Sequence, residues 1–282
     1  MSKFKFAVIG CPIKHTMSPF INKRLFELDN VDADYEVYEV EKIENDIEML
    51  KKLNGFNITI PHKKDIIPYL DFIGEKARLC GSVNTVLIKD NKLYGTSTDG
   101  IGMRLSLESH GLSFKGKILL LGNGGAARAV AYEALDYADE LIIAARNLDN
   151  AEKLKEELIK NHNNKNVNTC LLFNIPSDKY DLIINTTSVG MYPNPDFSPI
   201  DEDVIKNAKA VYDAVYNPHE TLFIKKAKSL GVKAVHGMEM LVNQAAAAHS
   251  FWLGEDFKPY SDADIKKLTE DSVSEMNRHF KN

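Results

Sequence analysis

The stretch KILLLGNGGAARAVAYEAL, residues 117–135, decides how the rest of the chain is read. Its opening apolar run has the look of a strand buried on both faces, as in a parallel sheet covered by helices. A glycine-rich turn follows, Gly122-Asn123-Gly124-Gly125-Ala126, and then a run with helical spacing. Gly122, Gly124 and Ala127 fit the G-x-G-x-x-(G/A) pattern in the strand–turn–helix context that a dinucleotide site requires. The physics asks for a tight turn at Gly122 and close backbone approach at Gly124. A pyrophosphate then meets the free N–H groups of the helix start. Glycines alone also serve ordinary strand–helix turns; the flanking strand, helix and next strand are what favour the nucleotide. That next strand, LIIAA (141–145), ends in Arg146. An acid about 20 residues past the glycines would accept hydrogen bonds from the ribose hydroxyls. Positions 144–147 are Ala, Ala, Arg and Asn, with no carboxylate. A guanidinium pairs with a 2′-phosphate through two parallel hydrogen bonds, so the pattern predicts NADP.

Outward from this unit, strand-like runs recur at NTCLLF (168–173), DLIIN (181–185), KAVYDAV (209–215) and VKAV (232–235). Upstream, FKFAVIG (4–10), DYEVYEV (34–40) and FNITI (56–60) read as strands, with helical spacing at 19–29 and 42–53. The alternation predicts an α/β protein. It would have an N-terminal α/β domain and a doubly wound parallel-sheet (Rossmann-like) dinucleotide domain, with a cleft between them. The chain is expected to leave the first domain near Gly100–Gly102 and return near Gly237, through helices at 238–253 and 261–279. Residues 1–100 and 237–282 then form one domain and 101–236 the other. NHNNKNVN (161–168) reads as a polar loop.

The bulk numbers fit two soluble domains: 282 residues, 44% hydrophobic and 27% charged. A net charge of −5 argues against a general nucleic-acid surface, which needs clustered basic charge. Cys11, Cys80 and Cys170 lie far apart without a CxxC pair, so neither a zinc site nor a disulfide framework is expected. MSKFKFAVIG lacks the apolar core of a signal peptide, and no run approaches the ~20 apolar residues of a membrane span. A cytoplasmic protein with reduced thiols and no resident metal is the expectation.

Three further stretches carry chemistry. GFNITIPHKKD (55–65) brings Lys63 and Lys64 out behind a strand, at the end where ligands sit in α/β sheets. GTSTDGIG (95–102) sets Asp99 in a glycine-flanked turn, where it could cap a helix or partner a lysine. A lysine–carboxylate pair can move the proton that accompanies hydride transfer to or from an alcohol carbon. In GCPIKHTMSPF (10–20), Pro19 suits the first helical position with Ser18 as the cap, and Thr16 and Ser18 together would seat a carboxylate. His15 and His62 are given no chemistry.

Taken in order, GCPIKHTMSP, NITIPHK, GSVNTV, STDGIG, GNGGAAR, INTTSVGM, YNPHET and GMEMLVNQA resemble the shikimate dehydrogenase family over nearly the whole chain. The resemblance implies reversible NADPH-dependent reduction of 3-dehydroshikimate to shikimate, in aromatic amino-acid biosynthesis. It implies a substrate domain built from both chain ends, and a monomer or homodimer that acts on a small molecule. Lys63 matches the family's catalytic lysine and Asp99 its partner. Thr16 and Ser18 match the carboxylate-binding hydroxyls, and Thr59, Asn84, Tyr216 and Gln244 match further substrate contacts. Gly122, Asn123, Gly124, Gly125, Ala126 and Arg146 match the nucleotide side, as do Thr186 and Ser188 after the strand DLII. Gly237 and Met240 match the nicotinamide side. Some positions depart from the family pattern: Thr16 and Ser97 stand for its usual serine and asparagine, and Asn123 for an alanine. Asp149 and Asn150 lie where a second basic residue is common. Sister enzymes acting on quinate or aminoshikimate, with relaxed or NAD cofactor use, share this pattern. A folate-type dehydrogenase is disfavoured by the hydroxyl pair and YNPHET, and a non-catalytic regulator by the retention of Lys63 and Asp99.

Overall fold

A computed structural model describes residues 3–13, 16–161 and 166–279. Position 15 and residues 162–165 of the loop expected at 161–168 lie outside them. The described residues up to Gly102, with those from Leu241 onward, form one unit, and Met103–Met240 form the other.

The first unit is a mixed six-stranded sheet. Its strands are β1 (Phe4–Gly10), β2 (Ala33–Glu39), β3 (Gly55–Ile58), β4 (Phe72–Ile73), β5 (Thr85–Lys89) and β6 (Lys92–Thr96), in the order β2-β1-β3-β5-β6-β4. β1 pairs in parallel with β2 and β3, while β3–β5 and β5–β6 are antiparallel. Helices α1 (Ser18–Asp29) and α2 (Ile43–Leu50) link the first three strands, and α3 (Glu75–Cys80) precedes β5. The sequence reading foresaw only the first three strands. β5 and β6 meet in a two-residue turn at Asp90-Asn91, whose φ values of 51° and 57° match the right-handed strand twist. FNITI is strand only as far as Ile58, because the chain already turns at Thr59, whose carbonyl accepts from the His62 N–H.

Helix α9 (Met238–Leu253) brings Trp252 onto this sheet, 4.6 Å from the Phe6 ring centroid. The indole N–H donates to the Val86 carbonyl at 2.9 Å. A Cβ on Gly55 would lie 2.7 Å from the indole nitrogen and from the Val86 oxygen, so only glycine fits there. Helix α10 (Asp262–His279) completes the unit.

The second unit is an all-parallel sheet of β7 (Lys117–Leu121), β8 (Glu140–Ala145), β9 (Val167–Leu171), β10 (Tyr180–Asn185), β11 (Ala208–Asp213) and β12 (Lys233–Val235). The order β12-β11-β10-β7-β8-β9 is doubly wound, and its direction reverses between β7 and β10. In such sheets ligands lie outside the carboxyl ends of the strands at that switch point. The chain enters this unit inside α4 (Asp99–Ser109) and leaves it inside α9. Its crossovers include α5 (Gly125–Leu135), α6 (Leu148–Asn161), α7 (Glu202–Ile205) and α8 (Leu222–Ser229). Ile118, Leu120, Ile143 and Ile183 are fully buried, as the two-sided apolar runs require.

Candidate active site

The turn after β3 is fixed by His62, which is 2% exposed and donates from Nε2 to the Val40 carbonyl at 2.6 Å. Its neighbour Lys63 is held by its carbonyl, which accepts from the Val83 N–H at 2.8 Å. Lys63 Nζ donates to Asp99 Oδ2 at 2.5 Å, with the two side chains 15% and 7% exposed. Asp99 is the first residue of α4, yet its carboxylate faces Lys63 and Asn84. Asn84 donates to Asp99 Oδ1 at 2.8 Å and to Thr98 Oγ1 at 2.9 Å. The Gln244 Oε1, from α9, lies 3.3 Å from the same amide nitrogen. Asn84 Oδ1 in turn accepts from the Thr98 backbone N–H at 2.8 Å. The first unit thus gathers Lys63, Asn84, Asp99 and Gln244 around one ion pair. Removing one partner of such a buried pair leaves an uncompensated charge, which costs about 3–5 kcal/mol.

Thr16 and Ser18 also meet: Thr16 Oγ1 donates to Ser18 Oγ at 3.1 Å and accepts from the Ser18 N–H at 3.2 Å. This corrects the expected cap. Residue Met17 stands at the N-cap with no side-chain cap bond, and Ser18 is already helical, which places Pro19 second. The Thr16 hydroxyl accepts from the Ser18 N–H, the first of the helix, and helical geometry begins one residue earlier than the expected cap. The Ser18 hydroxyl is therefore not used on its own helix. Thr59 is half-buried behind β3, and a Cβ on Gly10 would lie 2.5 Å from its methyl group.

In the second unit Gly122 has φ of +110° and closes β7, its N–H on the Ala144 carbonyl at 2.8 Å. Thr186 donates to the Leu121 carbonyl through both N–H (3.0 Å) and Oγ1 (2.7 Å), which joins β10 to the glycine turn at the switch point. Gly124 caps α5 without a side chain, and a Cβ there would meet nothing within 4 Å. The space beside Gly124 and the first N–H groups of α5, from Gly125 and Ala126, suit a phosphate group. Asn123 is half-buried in the same turn and Ala127 is buried under the helix. Arg146 is exposed directly after β8, two residues beyond Ala144, which pairs with Leu121. Ser188 is exposed in the loop after β10. Tyr216 is half-buried beyond β11. A Cβ on Gly237 would lie 2.6 Å from the Ala214 carbonyl, so backbone approach explains that glycine, and Met240 is 7% exposed.

Sequence reasoning passed over a second polar cluster at the ends of β10 and β11. Asp213, fully buried, accepts from Asn185 (2.9 Å), the Val215 N–H (3.0 Å) and Thr221 (2.6 Å). Burial pushes its carboxyl up to about 6 despite those donors. The signal was available: an aspartate inside the apolar run KAVYDAV. Among the described residues no group of three His, Cys, Asp or Glu could hold a metal, and no helix is long and apolar enough to cross a membrane.

Residues 8–86 match the family described as shikimate dehydrogenase substrate binding domain. The chain is 41% identical over 259 residues to the shikimate dehydrogenase (NADP(+)) of Caldanaerobacter subterraneus subsp. tengcongensis, which covers 89% of this chain and 92% of that one. Its identity to the enzyme of the same description from Methanocaldococcus jannaschii is 39% over 272 residues, covering 93% and 96%. A crystal structure of a shikimate dehydrogenase in complex with NADP+ is similar at a TM-score of 0.88 and 36% identity, covering 96% of both chains.

Proposed function

Because this chain belongs to the shikimate dehydrogenase family, we propose that it catalyses the reversible NADPH-dependent reduction of 3-dehydroshikimate to shikimate. The observation that carries the reading is the Lys63–Asp99 pair, 2.5 Å apart and oriented by Asn84. Reduction of a ketone to an alcohol adds a hydride to carbon and a proton to oxygen. When bound, the dinucleotide supplies the hydride. Lys63 donates the proton to the carbonyl oxygen, and in the reverse direction removes it from the hydroxyl. Asp99 holds the lysine amine in place and balances its charge through each transfer. Asn84, Gln244, Thr59 and Tyr216 would hold the ring hydroxyls. The Thr16–Ser18 pair, with both hydroxyls at one helix start, would hold the carboxylate.

The unit containing β1–β6 would bind the substrate. The other unit would bind NADP through the Gly122–Ala126 turn, Thr186, Ser188 and Arg146, with Gly237 and Met240 on the nicotinamide side. Three free cysteines suit a reducing, cytoplasmic compartment. The test is a steady-state assay of NADPH absorbance with shikimate and quinate, each with NADP and NAD. Shikimate with NADP should give the highest kcat/KM. Lys63→Ala should lower kcat by roughly 10²–10⁴-fold with nucleotide affinity kept. Equal and small effects of Lys63→Ala and Lys64→Ala would overturn the assignment.

A further inference from the structure

Asn57 sits in the middle of β3, 5% exposed, where an apolar β-branched residue would fill the sheet at lower cost. It lies directly opposite Thr85 across the antiparallel β3–β5 pair. Its amide nitrogen donates to Thr85 Oγ1 at 3.1 Å, with the Asn84 carbonyl 3.4 Å away, and its oxygen accepts from the Tyr35 hydroxyl at 2.6 Å. Thr85 Oγ1 donates its own hydrogen bond to Asn84 Oδ1 at 3.1 Å. Asn84 then donates to Asp99 Oδ1, and Lys63 to Asp99 Oδ2.

Two backbone groups fix the sense of this chain. The Thr98 N–H can only donate, so the Asn84 atom 2.8 Å from it is the oxygen, which turns the NH2 to Asp99. The Asn84 carbonyl can only accept, so the Asn57 atom facing it is nitrogen. With both amides set, the hydrogen bonds from Tyr35 through Asn57, Thr85 and Asn84 all point one way. They end on the carboxylate that holds the lysine, and bonds aligned in this way polarise one another. At its far end, the Tyr35 phenol is pushed well above its usual range by burial, an effect opposed by a hydrogen bond that Ser18 donates.

We propose that Asn57 is a positioning residue for the Lys63–Asp99 pair, acting through Thr85 and Asn84 and touching neither substrate nor nucleotide. The inference rests on the reading of Lys63 and Asp99 as the acid–base pair. Its test compares Thr85→Val, Thr85→Ser, Asn57→Leu and Lys63→Ala in the shikimate assay, with a thermal melt of each. Thr85→Val keeps the shape and removes the hydroxyl; kcat should fall about tenfold, as for one lost hydrogen bond to the site. KM for NADP should stay within about twofold, because this chain of side chains reaches no nucleotide-binding residue. Thr85→Ser should restore kcat. Asn57→Leu should match Thr85→Val, and the double variant should be no worse than either, since both break one chain. If Asn57→Leu does not fold, the valine–serine contrast at Thr85 decides alone. A kcat for Thr85→Val within twofold of the parent, beside an inactive Lys63→Ala, refutes the relay and leaves the acid–base reading standing. An active Lys63→Ala refutes both.

Discussion

Gly122 and Gly124 lie two residues apart in one turn, and their surroundings predict opposite responses to a methyl group. At Gly124 φ is −76° and ψ is −171°, which any residue adopts, and an added Cβ would find open space. Gly124→Ala should therefore leave the fold intact, or raise stability by about 0.4–1 kcal/mol through the unfolded chain. At Gly122 φ is +110°, and a Cβ would lie 3.1 Å from Thr186 Oγ1 and 3.2 Å from the Thr187 methyl. Backbone strain of this kind costs about 1–3 kcal/mol, so Gly122→Ala should melt early. Nucleotide binding should separate the two differently. If the space at Gly124 is where a pyrophosphate approaches, the methyl group overpacks it at a cost of about 1–3 kcal/mol. That raises the Kd for NADPH from about fivefold to about 150-fold. Thermal melts without ligand and fluorescence titrations with NADPH measure both quantities on the same preparations. A Gly124→Ala protein that melts normally and binds NADPH within twofold of the parent would refute the reasoning. The glycine would then serve neither the fold nor the ligand.

Arg146→Ala should weaken NADPH by about 1.5–3 kcal/mol, the worth of hydrogen bonds to a charged group, and leave NADH nearly unchanged in paired titrations. Equal weakening of both would make Arg146 an ordinary surface arginine. Ser18→Ala should raise KM for shikimate by a similar energy, about 1.5–3 kcal/mol, with little change in Tm because the hydroxyl caps no helix. An early melt with unchanged KM would contradict this. Asp213 sets a pH dependence whose sign is fixed by its raised carboxyl, about 6 when folded against 3.8. Well below pH 3.8 the group is neutral in both states and contributes nothing; between 3.8 and about 6 only the unfolded chain ionises, so stability falls across that window, and the loss levels off at about 3 kcal/mol above pH 6. Melts across that range should show Asp213→Asn losing this slope relative to the parent.

The second unit was legible because its signals are local. Two-sided apolar strands, glycines at a fixed spacing and an arginine at the next strand end all lie within thirty consecutive residues of one βαβ repeat, 117–146. The first unit was read less fully. Its last three strands are short and include an antiparallel hairpin, and the Asp90-Asn91 turn lacks the glycine that usually marks one. Lys63 and Asp99 are 36 residues apart, and nothing local to either shows that they meet. Each was a candidate from its own local setting, and only the resemblance chose Lys63 over Lys64 and joined it to Asp99. Asn57 and Thr85 were invisible for a related reason: a polar residue in a strand reads as a solvent-facing position, and only the register of β3 against β5 shows the two buried and paired. The mistaken cap at Ser18 came from a sound local rule that a hydroxyl two residues earlier pre-empted.

Trp252 is the single tryptophan of the chain, and its indole rests on Gly55 and Val86 in the first unit. Its intrinsic emission therefore reports the integrity of that unit alone, whereas far-ultraviolet circular dichroism sums over both. In a denaturant titration, coincident curves from the two probes would mean that both sheets are lost in one cooperative step. Curves that separate would time the loss of the β1–β6 sheet independently of the other, with no engineered label.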